Sequence, residues 1–148
     1  MIRVFIVDDH PVIIEGIRSL LQNEKGIEWA GQAMTAASCL GFFVNNTADI
    51  ILMDIRMPGM DGVELCAVMK EKYPGVFILG LSTFNQGLYI KKMMENGASG
   101  YILKNSSRDE LLNAIFTITG GGIYFSGEAG EALKEHQKSL AHQLPQLS

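Results

Sequence analysis

Asp8 and Asp9 close the apolar run Val4-Phe5-Ile6-Val7, and Asp54 closes Ile50-Ile51-Leu52-Met53. Two further runs, residues 76–81 and 100–103, end at Ser82-Thr83 and at Lys104. Apolar runs without polar alternation are the pattern of strands buried on both faces, as in a parallel sheet covered by helices. Ligands bind at the carboxyl edge of such sheets. If these strands are neighbours, three carboxylates converge, and their repulsion is costly unless a cation offsets it. A hard divalent ion such as Mg2+ suits a set of oxygen ligands. An ionised carboxylate beside such an ion, with a hydroxyl donor at Ser82 and a point charge at Lys104, is a phosphoryl-transfer set. The carboxylate acts as acceptor and needs no base, because it is already ionised at neutral pH.

The elements that must position these groups can be read along the chain. Strand and helix patterns alternate through residue 120, which predicts an α/β fold with a parallel sheet. The first strand is expected at residues 3–7. Pro11 then opens a helix with an apolar stripe of Ile13, Ile14, Ile17, Leu20 and Leu21, closed by Gly26. A strand at residues 27–33 leads through Thr35, an expected N-cap, into a helix carrying Cys39, Leu40, Phe42 and Phe43. The third strand is expected at 49–53, and after Met57-Pro58-Gly59 a third helix at 62–72. Asp61-Gly62 makes the turn into it. A fourth strand at 76–81, a helix from about Asn85 to Asn96 with Gly97 as its C′ residue, and a fifth strand at 100–103 follow. Ser106-Ser107-Arg108-Asp109 is the expected capping box of the fifth helix, which ends at Gly120-Gly121-Gly122. Residues 127–148 are polar with weak helical potential.

Composition narrows the function further. The chain has 148 residues, 47% of them hydrophobic, which fits one domain with a full core. A net charge of −4 and no Lys/Arg cluster argue against a nucleic-acid surface on this segment. Cys39 and Cys66 sit among apolar neighbours and are expected as small core residues, not as a disulfide or metal ligands. There is no signal-peptide pattern at the start and no apolar run long enough to span a bilayer, so a cytoplasmic protein without a membrane partner is expected. His10, beside Pro11, is expected to pack or to cap the first helix; His136 and His142 form no ligand set with it.

The segments Val7-Asp8-Asp9-His10-Pro11, Met53-Asp54-Ile55-Arg56-Met57-Pro58-Gly59-Met60-Asp61-Gly62 and Gly100-Tyr101-Ile102-Leu103-Lys104 resemble those of response-regulator receiver domains of two-component systems. The wording around His10-Pro11 and Lys104 is similar to the NarL/FixJ (LuxR-type) subfamily. The resemblance covers residues 1–124. It implies a flavodoxin-like, doubly wound, five-stranded parallel sheet of order 2-1-3-4-5. It makes Asp54 the phosphoryl acceptor, Asp9 and Asp54 carboxylate ligands of Mg2+, Asp8 a ligand through water, and Arg56 a ligand through its backbone carbonyl. Ser82 and Lys104 would contact the phosphoryl oxygens, and Ser82 and Tyr101 would be the switch pair.

The same resemblance implies a sensor histidine kinase as phosphodonor, self-phosphorylation and self-dephosphorylation rather than conventional enzyme turnover, and a homodimer when phosphorylated. Receivers of this kind usually precede a helix-turn-helix domain that binds DNA. Residues 125–148 would then be a linker or terminal helix, and Leu144-Pro145-Gln146-Leu147-Ser148 resembles the entry to such a domain, missing from this sequence. The alternative is a stand-alone or phosphate-independent receiver acting by protein–protein binding. A haloacid-dehalogenase-type phosphohydrolase is disfavoured, because Arg56 stands where those enzymes carry a second aspartate. Asn105 stands where many receivers have proline, so the cis bond common there is not implied. Thr83 is bulkier than the alanine or glycine often found beside the switch hydroxyl, and Arg56 and Phe84 flank the expected water approach.

Overall fold

The computed structural model describes residues 1–83 and 86–126. Strands and helices alternate as β1 (Ile2–Val7), α1 (Pro11–Leu21), β2 (Ile27–Ala33), α2 (Ala36–Asn45), β3 (Ile50–Asp54), α3 (Gly62–Lys72), β4 (Phe77–Ser82), α4 (Gly87–Glu95), β5 (Gly100–Leu103), α5 (Arg108–Thr119) and β6 (Tyr124–Phe125). All strand pairs are parallel, in the order β2-β1-β3-β4-β5-β6. The expected order of five strands therefore holds, with a sixth short strand added beyond β5.

The unbroken apolar runs have a direct structural cause. Successive residues of a strand point to opposite faces, and here both faces are covered. Phe5, Val7, Ile51, Met53 and Ile78 join a core with α2, α3 and α4, through side chains such as Cys39, Leu65, Met69 and Met93. Val4, Ile6, Ile50, Leu52 and Leu79 join a second core with Ile14 and Ile17 of α1 and Leu111 and Ile115 of α5. Cys39 and Cys66 are free and buried, and burial pushes both thiols up to about 12, so they serve the core as small apolar groups.

Helix starts follow local chemistry. The Thr35 side chain accepts the Ser38 N–H at 3.1 Å, and Asp61 accepts that of Glu64 at 3.0 Å, each satisfying a donor that the first helical turn leaves open. At α5 the cap is Ser107, which accepts the Glu110 N–H at 3.2 Å. The expected box is thus displaced by one residue, because Glu110, not Asp109, lies three positions after the hydroxyl that caps. Gly97 follows α4 with φ of 106°, in keeping with a C′ role. The expected start of that helix near Asn85 lies outside the described residues, as do Phe84 and the whole of 127–148.

β6 escaped the sequence pattern because two residues are too few to show alternation. Gly100 lets it approach: a Cβ there would stand 2.0 Å from the Tyr124 carbonyl oxygen. The Ser126 N–H donates to the Tyr101 carbonyl at 2.9 Å, and the Phe125 ring stacks on Tyr101 with centroids 6.0 Å apart. Among the described residues no helix is long and apolar enough to cross a membrane.

Candidate functional site

Strand register brings the polar residues together. Val7 pairs with Met53, so Asp8 and Asp54 leave β1 and β3 at one level. Asp54 pairs with Leu81, one residue before Ser82, and Ser82 pairs with Leu103, one before Lys104. Four adjacent strands therefore deliver Asp8, Asp54, Ser82 and Lys104 to one carboxyl edge, at the point where the chain crosses from β2 over β1 to β3.

Lys104 Nζ lies 3.0 Å from Asp54 Oδ1 and 3.1 Å from Asp8 Oδ2, with 10% of its side chain exposed. Asp8 is fully buried and Asp54 is 2% exposed. One ammonium thus faces two buried carboxylates, with the half-buried Asp9 beside them. Asp54 Oδ2 is buried and lacks a hydrogen-bond partner, and Asp9 Oδ1, buried too, faces the His10 ring nitrogen at 3.0 Å without one. Buried anionic oxygens left in that state are rare, and a cation is their usual remedy. Ligand atoms of Asp8, Asp9, His10 and Asp54 all lie within 4.8 Å of one another, which is close enough to hold one metal ion. The residues present therefore fit a divalent cation.

The Arg56 N–H donates to Asp54 Oδ1 at 3.3 Å, so its backbone runs beside the central carboxylate. Its guanidinium turns outward, donating to the Tyr89 hydroxyl and stacking over that ring at 4.6 Å. The Ser82 hydroxyl is buried and donates to the Ile102 carbonyl at 3.4 Å, a long bond. Thr83 is exposed, and its N–H donates to Gln86 Oε1 at 2.7 Å. Tyr101 is fully buried, with its hydroxyl donating to the Ile90 carbonyl, and burial raises its phenol well above the ordinary range. No peptide bond among the described residues is cis.

A family model for the response regulator receiver domain matches residues 4–116. The chain belongs to the response-regulator receiver family. Relatives include the transcriptional regulatory protein MctR of Rhizobium johnstonii, 36% identical over 89% of this chain and 62% of that protein. Response regulator UvrY of Escherichia coli is 31% identical over 90% of this chain and 61% of its own length. The receiver spans about three fifths of the curated relatives it matches. Among solved structures, a LuxR-family two-component response regulator from Aurantimonas has 30% identity and a TM-score of 0.83, covering 92% of this chain and 97% of that one. The isolated receiver of RcsB from Salmonella enterica, solved with the phosphomimetic BeF3−, superposes with a TM-score of 0.81 at 23% identity, covering 89% of this chain and 98% of its own; it supports the fold.

Within this receiver, burial is the main influence on Asp54 and pushes its carboxyl up to about 7, so it is not fully ionised at neutral pH as expected; the Lys104 hydrogen bond opposes the rise and the Asp8 charge adds to it. One expectation needs correction. His10 occupies the N-cap position of α1, but its side chain makes no capping bond. Its Nδ1 instead lies 2.8 Å from Asp8 Oδ1, 3.0 Å from Asp9 Oδ1, 3.8 Å from Asp54 Oδ2 and 3.3 Å from Lys104 Nζ. Attraction between the imidazole and the acidic cluster outweighs a local cap. The adjacency of His10 to the acidic doublet was the available signal. Tyr89 was not foreseen, and its contact with Arg56 across 33 positions left no local trace.

Proposed function

We propose that this receiver accepts a phosphoryl group on Asp54 from the phosphohistidine of a sensor histidine kinase and passes the signal on by a change of conformation that controls transcription. The observation that carries this reading is the Asp54 carboxylate held 3.0 Å from Lys104 Nζ, beside the buried Asp8. An Asp54 oxygen attacks phosphorus as the P–N bond to the donor imidazole breaks; the leaving nitrogen keeps the bond pair and takes up a proton. Asp9 and Asp54 would hold Mg2+ through carboxylates, Asp8 through water, and Arg56 through its backbone carbonyl. When bound, the ion supplies positive charge against repulsion between the acceptor and the incoming phosphoryl oxygens.

Lys104 would supply its charge to the transferring oxygens by exchanging part of its contact with Asp54 for them; its position 3.0 Å from the acceptor supports this role. Ser82 exchanges its long bond to the Ile102 carbonyl for a phosphoryl oxygen. The inward, buried Tyr101 ring is the rotamer that this movement favours, biasing a two-state equilibrium at α4, β5 and α5. We take the receiver, expected at residues 1–124, to include Phe125 and Ser126 as well, because β6 ties them to β5, and the remainder of 125–148 as the linker or terminal helix leading to a helix-turn-helix domain, through which a phosphorylated homodimer would reach DNA. On this reading the protein acts in the cytoplasm, with the kinase's catalytic domain.

Intact mass after incubation with Mg2+ and acetyl phosphate tests the reading. Wild type is expected to gain one phosphoryl group and Asp54→Asn none. A folded wild type that gains none from acetyl phosphate or from a purified histidine kinase would overturn it.

A further inference from the structure

His10 is the one imidazole among the described residues at the acidic cluster. Its Nδ1 stands 2.8 Å and 3.0 Å from Asp8 Oδ1 and Asp9 Oδ1. Around an octahedral ion with ligands about 2.1 Å away, adjacent ligand atoms are about 3 Å apart. The imidazole nitrogen is thus spaced from these two oxygens as a neighbouring ligand would be, on a side chain 57% exposed. Without an ion, an Nδ1–H can donate to these carboxylates; an ion entering the cluster would take the place of that proton, which leaves to solvent, while Nε2 keeps its own. The buried Asp54 Oδ2, without a hydrogen-bond partner, lies 3.8 Å away across the same space.

We propose that His10 is an additional ligand of the divalent ion, so that this receiver selects borderline transition ions such as Ni2+, Co2+ and Zn2+ over Mg2+ more strongly than its carboxylates alone would. The inference rests on the metal-binding part of the proposed function and extends it. Imidazole suits borderline ions, whereas Mg2+ takes oxygen ligands and keeps its waters. His10 is consequently a specificity-determining residue for the ion and contributes little to Mg2+ binding.

Calorimetric titration of wild type, His10→Ala and Asp9→Ala with Ni2+ and with Mg2+ separately tests the proposal, with electron spin-echo spectra of bound Mn2+ reporting coordinated nitrogen. The His10 side chain is exposed and caps nothing, so His10→Ala should fold normally. The expected result is at least a tenfold loss of Ni2+ affinity in His10→Ala, with Mg2+ affinity changed less than about twofold. The nitrogen signal should disappear in the same variant, and both ions should be lost in Asp9→Ala. Ni2+ affinity unchanged in His10→Ala, with Mg2+ binding intact and dependent on Asp9, would overturn the role of His10 alone. Ni2+ binding that survives Asp9→Ala would mean that the ion sits elsewhere, and would also overturn it. Failure of wild type to bind either ion would overturn the metal site as well.

Discussion

At the scale of single residues, Asp54 holds the energetic tension of the molecule. Its carboxyl is pushed up to about 7 chiefly by burial, while an unfolded aspartate titrates near 4. Between those values the unfolded chain is ionised and the folded one keeps its proton, so stability is greatest below about pH 4 from this group and is lost as pH rises through about 7. Urea midpoints of wild type and Asp54→Asn should therefore diverge between pH 4 and 7.5, wild type becoming the weaker by roughly 2–4 kcal/mol. Millimolar Mg2+ should narrow the gap at the higher pH by favouring the ionised carboxylate. Parallel pH profiles for the two proteins would show that Asp54 is not held in this way.

At the scale of elements, the packing of β4 against β5 decides where Tyr101 can sit. A methyl group on Gly80 would come within 2.4 Å of Tyr101 Cε1, so the buried ring occupies space that only glycine leaves open. Gly80→Ala should force the ring outward or the strands apart, at a cost of about 1–3 kcal/mol. Fluorotyrosine NMR in the presence of a solvent relaxation agent would report the exposed ring; unchanged burial and unchanged stability would refute this account of the seat. Such a dependence was invisible in the sequence, since Gly80 and Tyr101 become partners only through cross-strand register. Elements with their own local chemistry were legible: β3, β4 and β5 by unbroken apolar runs, α2 by Thr35, and α3 by Asp61. β6 was not, because its stability comes from pairing with β5 rather than from a pattern within Tyr124 and Phe125. The acidic residues and Lys104 could be read because each closes a strand. The true setting of His10 could not, because two weak local roles competed with a contact that only folding creates.

At the scale of the whole molecule, one strand register serves two purposes. The pairing of Val7 with Met53 sorts alternate side chains of β3 between the two cores and also sets Asp54 level with Asp8. A slip of one residue would exchange the faces, sending Ile51 and Met53 toward α1 and α5 and Ile50 and Leu52 toward α2 and α3. It would also carry Asp54 about 3.3 Å along the strand, away from Lys104. Folding thus proofreads the placement of Asp54: a chain that has misaligned its centre strand loses its interior before it can persist as a compact species. Maximal phosphoryl uptake, titrated through urea with Mg2+ and donor in excess, should follow the folded fraction point for point. Uptake that fell away while the core remained intact would reveal a tolerance for misalignment that this shared register does not allow.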